Sequence, residues 1–166
     1  MRKINSDPKI KKKFNLGLKL SNFLLKIGID ARKKLFKDIH AAVGPNLRFL
    51  VAGGAAISSD LIKNLRAVGI HCFQGYGLTE CAPILALNRE FFYNDNSAGL
   101  PLPGVDIKII NKDEDGLGEI IGRGPNVMLG YYEDAEKTAA AIDKEGFYHT
   151  GDIGYIDDDS FVIITG

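Results

Sequence analysis

A strand–helix–strand pattern over about 27 residues constrains the fold of this chain more than any other feature. The apolar run Leu47–Ala52 predicts a buried strand, and Ile70–Phe73 predicts a second one. Between them, a helical pattern begins at Ser59 and ends at Gly69. Two strands joined through one helix form a crossover unit, in which the strands lie parallel in the same sheet. The sequence therefore predicts an α/β fold whose first part is a layer with parallel strands.

Glycine-containing loops follow both predicted strands. Gly53-Gly54-Ala55-Ala56 follows the first strand, and Gln74–Glu80, with the sequence QGYGLTE, follows the second. Parallel strands joined in this way end at the same edge of a sheet, and open α/β sheets bind ligands at that edge. Glycine lets the backbone approach a flat or anionic ligand because no Cβ intervenes, although two glycines alone more often mark a tight turn.

The second loop carries side chains suited to a nucleotide polyphosphate. Tyr76 can stack on a base, Thr79 can hydrogen-bond a phosphate oxygen, and Glu80 offers a hard oxygen ligand for Mg²⁺. Farther along, Asp152 in the segment Tyr148–Asp152 can accept hydrogen bonds from ribose hydroxyls or satisfy its own turn. The common phosphate loops GxxxxGK[ST] and GxGxxG do not occur.

The second half of the chain has the alternation of β-strands. Val105–Ile109 alternates between apolar and polar residues, and Phe161–Thr165 is the second strand of a hairpin around an acidic turn. We expect residues 1–94 to form a helical lead-in and the α/β layer with the two glycine-containing loops. Residues 95–166 are expected to form a β-rich, distorted barrel-like subdomain that carries Asp152.

The chain has no net charge, yet its amino-terminal region is strongly basic. The whole sequence has 21 Lys or Arg residues and 21 Asp or Glu residues. Residues 1–40 contain 12 of the basic residues and only 3 of the acidic ones. The run Lys9–Lys13 is typical of a solvated helix face, and the apolar residues after it predict a helix over Phe14–Ile29. The alternative is peripheral contact with an anionic membrane. Aromatic residues do not interleave with the lysines, and no nucleic acid partner is predicted.

Composition and length indicate an ordinary globular protein. Hydrophobic residues make up 45% and charged residues 25%, and no apolar run reaches the roughly 18 residues that span a bilayer. Because the amino terminus lacks the apolar core of a secretory signal, we expect a cytoplasmic protein, with any peripheral contact at the inner membrane surface. Cys72 and Cys81 lack the spacing of a zinc site or a disulfide framework, so each is expected to be a small buried side chain.

Four motifs occur in one order and carry a resemblance to a known family. They are Gly53-Gly54-Ala55, Gln74–Glu80, the segment Gly122–Tyr132 (GRGPNVMLGYY) and Tyr148–Asp152. Together they closely resemble the acyl-adenylate-forming, or AMP-binding, superfamily, which includes acyl-CoA synthetases, peptide-synthetase adenylation domains and luciferases. The basic helical lead-in makes the chain most similar to a bacterial long-chain fatty acid CoA ligase.

The resemblance implies a two-step reaction with ATP, Mg²⁺ and CoA. A fatty acid carboxylate attacks the α-phosphate of ATP to give acyl-AMP and pyrophosphate, and the CoA thiol then displaces AMP. One alternative is an amino-acid-activating adenylation domain. Another is a non-catalytic module that binds nucleotide or docks on a membrane.

The resemblance also implies roles for individual residues. Tyr76 corresponds to the position that stacks on adenine, and Asp152 corresponds to the ribose clamp. Thr79 corresponds to the α-phosphate contact and Glu80 to the Mg²⁺ ligand, so these two residues are the catalytic candidates. The complete set implied for nucleotide binding is Gly53, Gly54, Ala55, Gln74, Gly75, Tyr76, Gly77, Thr79 and Asp152.

The resemblance further implies that this chain is one truncated part of an AMP-binding domain. The Ser/Thr/Gly-rich phosphate loop of the family does not occur in residues 1–52, and the hinge, a ribose-binding arginine and the catalytic lysine are expected after Gly166. The apolar segment Phe161–Gly166 also ends without a covering element, which natural domains seldom show. We therefore expect nucleotide binding by this chain alone, without acyl-AMP formation.

Overall fold

The structure is a computed structural model that describes residues 8–55 and 57–166. Arg2 and Lys3, counted in the basic region, and Ala56, in the first glycine-containing loop, lie outside the described residues. The fold is mixed α/β with sheets, as predicted. Within the described ranges, every helix is too short or too polar to cross a membrane.

The chain forms two compact units, each described by itself. One unit comprises the residues up to Leu50 together with Asp60–Cys72, and the other comprises Val51–Ser59 and Phe73–Gly166. The boundary expected near residue 94 stays a prediction.

The first unit is built from helices around an aromatic contact. Its helices are α1 (Pro8–Lys26), α2 (Arg32–Leu35), α3 (Lys37–Val43) and α4 (Ser59–Ala67). The rings of Phe14 and Phe36 lie 5.5 Å apart, and Val68 and Ile70 are buried in the same cluster. Gly17 allows this packing, because a Cβ there would lie 3.3 Å from the Phe36 ring.

Helix α1 begins earlier than the sequence pattern predicted. Its first residue is Pro8, and proline is favoured in the first turn because its missing N–H would have no helical partner there. The helix ends at Lys26 instead of Ile29, since Gly28 has a φ of +81° and ends the helical geometry.

The first sheet contains four strands in the order β1-β2-β3-β4. They are β1 (Phe49–Ala52), β2 (His71–Gly77), β3 (Ile84–Leu87) and β4 (Leu100–Pro101). The predicted adjacency of β1 and β2 is confirmed, whereas their parallel direction stays a prediction. The prediction of a buried first strand is wrong: Phe49, Leu50 and Val51 are exposed, because the described residues do not pack over their side chains on the faces of the sheet.

The second sheet lies in the second unit and is antiparallel throughout. Its strands are β5 (Asp106–Ile110), β6 (Gly118–Arg123), β7 (Tyr148–Ile156) and β8 (Val162–Ile164), in that order across the sheet. Helix α5 (Ala135–Ala141) precedes β7 and is capped by Asp134, whose side chain accepts from the N–H of Lys137. This sheet confirms the β-rich subdomain predicted for the second half of the chain.

Candidate functional site

A cavity of about 410 Å³ in the second unit brings most of the predicted nucleotide-binding residues together. Seven of the nine line it: Gly54, Ala55, Gln74, Gly75, Tyr76, Gly77 and Asp152. The other two, Gly53 and Thr79, line a neighbouring cavity of about 380 Å³ that shares Gly54 and Gly75–Leu78 with the first. Glu80 lines neither cavity.

The loop predicted over Gln74–Glu80 is only partly a loop. Strand β2 continues through Gly77, because β3 pairs with it and gives these residues a ladder. Gly77 is required by that pairing, since a Cβ there would lie 1.7 Å from the carbonyl oxygen of Pro83. Gly54, in contrast, has open space around it and needs glycine for its φ of +79°.

Tyr76 and Asp152 contact each other directly in the cavity wall. The Tyr76 hydroxyl donates to Oδ2 of Asp152 at 2.5 Å. Tyr76 is 8% exposed, and burial, together with this hydrogen bond, raises the pKa of its hydroxyl well above the ordinary value. The phenol therefore stays a neutral donor, and the Asp152 carboxylate has a partner from a distant strand.

A bulge in β7 presents Asp152 to the cavity. Glu119 pairs with Ile153 and Ile121 pairs with His149, so β7 has two more residues than β6 between these pairs. The turn predicted at Tyr148–Asp152 is thus wrong in kind, because these residues belong to a strand. The bulge forms there because Gly151 adopts a φ of +76°.

Hydrogen bonds from both strands hold the bulge. The hydroxyl of Thr150 donates to the carbonyl of Ile120 at 2.7 Å and accepts from the N–H of Asp152 at 3.1 Å. On the neighbouring strand, Oε1 of Glu119 accepts from the N–H of Gly151 at 3.2 Å. The backbone at Asp152 is therefore fixed by one hydroxyl and one carboxylate.

The same Glu119 also contacts a histidine of strand β7. Nδ1 of His149 lies 3.3 Å from Oε2 of Glu119, and its Nε2 lies 3.8 Å from Oδ2 of Asp143. These acids are 30 and 6 residues away in sequence, so only the pairing of β6 and β7 and the fold around them bring the three together.

Glu80 is held on the side of the motif Gly122–Tyr132. Tyr131 donates its hydroxyl to Oε1 of Glu80 at 3.0 Å, and the carbonyl of Glu80 accepts from the N–H of Met128 at 2.7 Å. Nδ2 of Asn126 donates to the carbonyls of Cys81 and Ile84. The third motif thus fixes the segment that follows β2.

The opposite wall of the 410 Å³ cavity depends on a buried asparagine. Nδ2 of Asn88 donates to the carbonyls of Gln74 and Ser97, and its Oδ1 accepts from the N–H of Asn94. Asn88 is buried, so these bonds satisfy an amide that water cannot reach. They hold the segment containing Asn96, which lines the cavity, next to β2.

Comparison with known proteins identifies the family. The sequence profile of a family described as AMP-binding enzyme matches residues 16–132. The chain belongs to this AMP-binding enzyme family. Long-chain-fatty-acid–CoA ligase 1 of Homo sapiens is 37% identical over 127 residues, which make up 72% of this chain and 18% of the human protein. The 4-coumarate–CoA ligase of Pinus taeda is 39% identical over 132 residues, or 72% of this chain and 25% of that protein.

A solved structure of the AMP-binding family shows the same fold. O-succinylbenzoate Coenzyme A synthetase from Bacillus subtilis, in complex with ATP and magnesium ion, superimposes with a TM-score of 0.61 at 32% identity. The match covers 70% of this chain and 26% of that chain. The chain spans about a fifth to a quarter of the length of these three proteins.

Glu80 is the residue predicted to hold a magnesium ion shared with a nucleotide. Its carboxylate is half-buried, and Oε1 accepts from Tyr131. Across residues 8–55 and 57–166, no group of three or more His, Cys, Asp or Glu side chains is placed to hold a metal. Mg²⁺ typically keeps several waters and binds one or two carboxylates together with substrate phosphates. A single carboxylate fits that arrangement, and the metal role of Glu80 stays a prediction.

Several residues that build the candidate site were not assigned from the sequence. Asn126 and Tyr131 lie in the third motif, which was recognised without a role for any side chain. Asn88 and Glu119 lie in two other regions of the chain. Each acts through hydrogen bonds to residues distant in sequence, which no local sequence pattern indicates. The first pair was within reach of sequence analysis, whereas the second pair required the strand register.

Proposed function

We propose that this chain is the adenine- and ribose-binding part of an ATP-dependent acyl-CoA ligase that acts on a long-chain fatty acid. In the first step a fatty acid carboxylate attacks the α-phosphate of ATP and pyrophosphate leaves, which gives acyl-AMP. In the second step the CoA thiol attacks the acyl carbon and AMP leaves. The observation that carries the proposal is the convergence of Gly54, Tyr76 and Asp152 on one cavity.

The cavity geometry supports a specific division of roles. The flat backbone at Gly54 and Ala55 and the ring of Tyr76 offer apolar surface for adenine. The Asp152 carboxylate retains acceptor capacity beyond the bond from Tyr76, since an ionised carboxylate has about four lone-pair sites. Two ribose hydroxyls are the donors that suit it.

The polar groups beside the cavity suit a polyphosphate. Thr79 is exposed in the neighbouring cavity, where its hydroxyl can donate to an α-phosphate oxygen. Glu80 would hold Mg²⁺, which, when bound, neutralises the charge that develops on the phosphate oxygens. Tyr131 keeps the Glu80 carboxylate in one orientation through its hydroxyl.

The assignment of a long-chain fatty acid is supported by the human relative at 37% identity, whereas the pine relative at 39% identity favours an aromatic acid. An amino acid is the third candidate substrate class. Pyrophosphate exchange by the full-length protein that contains this chain distinguishes them. We expect exchange with palmitate and not with coumarate or any amino acid, and exchange with coumarate or an amino acid alone would contradict the assignment.

The nucleotide site is tested with the chain itself. We expect AMP to bind with a dissociation constant on the order of millimolar, without formation of acyl-AMP from ATP and palmitate. Tyr76→Ala and Asp152→Ala should each weaken the binding of AMP. NMR titration of each variant with AMP measures this effect. Asp158→Ala, which removes an exposed carboxylate from the β7–β8 turn, is the matched control.

A second ligand isolates the ribose contact. An AMP analogue that lacks both ribose hydroxyls should bind wild type about as weakly as AMP binds Asp152→Ala, and Asp152→Ala should not weaken it further. If AMP and the analogue bind equally to the wild-type chain, Asp152 is not a ribose ligand. If neither Tyr76→Ala nor Asp152→Ala changes AMP binding, the nucleotide lies elsewhere.

A further inference from the structure

Helix α1 has two apolar faces, and only one of them belongs to the core of its unit. Phe14, Gly17 and Ser21 face inward, where Phe14 and Gly17 contact Phe36. A second set consists of Leu16, Leu20 and Phe23, which are 68%, 46% and 60% exposed. Their spacing of four and then three residues places them along one stripe of the helix, away from the core.

Lysines border this exposed stripe. Lys12, Lys19 and Lys26 recur every seven residues and therefore lie along one line of the helix. Lys12 and Lys19 line the same shallow depression as Leu16. The sequence of α1, PKIKKKFNLGLKLSNFLLK, contains six lysines and no Asp or Glu, so no acidic side chain of the helix itself offsets them.

We infer that the exposed stripe of α1 docks on an anionic membrane surface. A helix that lies in the membrane interface combines an apolar face with flanking lysines, and the apolar face enters the acyl boundary while the ammonium groups meet anionic headgroups. The stripe Leu16, Leu20 and Phe23 supplies the first element, and Lys12 and Lys19 supply the second. Charge complementarity selects a lipid surface over a second, equally basic copy of this helix. The inference is independent of the proposed nucleotide chemistry.

Vesicle co-sedimentation of the 166-residue chain tests the inference. Vesicles of pure phosphatidylcholine are compared with equimolar phosphatidylcholine and phosphatidylglycerol, at low and high salt. We expect binding to the anionic vesicles that weakens with salt, because exposed charges are screened. The double variant Lys12→Glu/Lys19→Glu should lower the partition coefficient by about tenfold or more, and Phe23→Ala should also lower it.

Matched controls lie on the other unit. Lys112→Glu changes an exposed lysine, and Phe91→Ala removes a ring that is 92% exposed, more than that of Phe23. Both controls should leave binding unchanged, and circular dichroism should show that every variant keeps its helix content. Equal loss with Phe91→Ala would mean general apolar adhesion and would overturn the inference.

Other occupants of the stripe give different results. A concentration-dependent dimer that Phe23→Ala abolishes, without vesicle binding, would assign the stripe to self-association. Equal binding to neutral and anionic vesicles, or no binding to either, would show that the lysines do not recognise anionic headgroups. Binding by this chain but not by a longer protein that contains it would assign the stripe to packing within that protein. Each of these results overturns membrane docking.

Discussion

The hydroxyl oxygen of Tyr76 and Oδ2 of Asp152 are 2.5 Å apart, although 76 residues separate the two side chains in sequence. Strand β2 carries the phenol and the bulge of β7 carries the carboxylate, so one hydrogen bond joins the two strands in the wall of the candidate nucleotide cavity. Both the stability of the second unit and the position of the carboxylate depend on this bond.

Removing the phenol oxygen should destabilise the protein more than a typical surface change. We expect Tyr76→Phe to lower the free energy of unfolding by about 1 to 3 kcal/mol, because a half-buried carboxylate loses a donor. The double variant Tyr76→Phe/Asp152→Ala should be less unstable than the sum of the single variants. Urea unfolding measures both effects, and Tyr155→Phe in the same strand as Asp152 is the control. Strict additivity would show that the two side chains act independently.

Glu119 should affect nucleotide binding although it does not line the cavity. Glu119→Ala removes the acceptor of the Gly151 N–H and should weaken AMP binding severalfold, about 1 kcal/mol, because the bulge loses one restraint. Glu119→Gln keeps an acceptor oxygen and should bind AMP almost as the wild type does. NMR titration gives the affinities, amide exchange at Gly151 reports the local opening, and Glu114→Ala controls for charge. Unchanged exchange at Gly151 in Glu119→Ala would contradict this role.

Tyr131 and Tyr132 are neighbours with different surroundings, so they form a matched pair. Tyr131 donates to Glu80, whereas Tyr132 is 90% exposed. Tyr131→Phe should weaken MgATP binding by roughly threefold to tenfold, because the loss corresponds to the contribution of about one hydrogen bond. It should leave AMP binding unchanged. Tyr132→Phe should change neither. An equal loss of AMP and MgATP affinity in Tyr131→Phe would indicate a purely structural contribution.

Gly77 should be among the least replaceable residues of the site. Gly77→Ala is expected to lower the free energy of unfolding by about 3 kcal/mol or more, because the new Cβ would overlap the Pro83 carbonyl and separate β2 from β3. Gly104 has a φ of +81° with open space around it, so Gly104→Ala should cost only about 1 kcal/mol. Thermal or urea unfolding compares them, and equal losses would rule out the steric explanation.

The stability of the second unit should fall in alkaline solution. Burial raises the pKa of the Cys81 thiol from 9.0 to about 11, so the folded chain keeps a proton that the unfolded chain releases. The free energy of unfolding should therefore decrease as the pH rises from about 9 toward 11. Part of this decrease should disappear in Cys81→Ala. An identical pH slope in Cys81→Ala would assign the decrease to the buried tyrosines alone.

Sequence reasoning identified the local patterns of this chain and missed the register between them. Composition and periodicity predicted helix α4, the alternation of β5 and the buried state of both cysteines, which the structure confirms. The glycines predicted a loop over Gln74–Glu80, and a turn was predicted within Tyr148–Asp152. Strand β2 instead continues through Gly77, and β7 contains all of Tyr148–Asp152, because a neighbouring strand supplies partners.

The supporting residues of the site were beyond sequence reasoning for a related reason. Asn88 and Glu119 have ordinary polar side chains, and their roles depend on residues 6 to 32 positions away. Periodicity describes what one segment prefers and contains no information about which distant carbonyl or amide will face it. The exposure of β1 shows the same limit, since an apolar strand pattern does not indicate whether anything covers it.

The two additional residues in the β7 bulge keep the parity of the strand. Side chains alternate between faces, so an even insertion leaves His149 and Ile153 on the face shared by Ile121 and Glu119. Loss of one residue from the bulge would exchange the inner and outer faces over the remainder of β7 and disrupt its pairing with β8. Loss of two residues would restore a regular ladder between β6 and β7. The strand would survive, but no bulge would direct the carboxylate of Asp152 toward the cavity. Insertions or deletions at this point are therefore tolerable only as two residues at a time. The smallest tolerable deletion removes the bulge itself, and with it the position of the Asp152 carboxylate in the cavity wall.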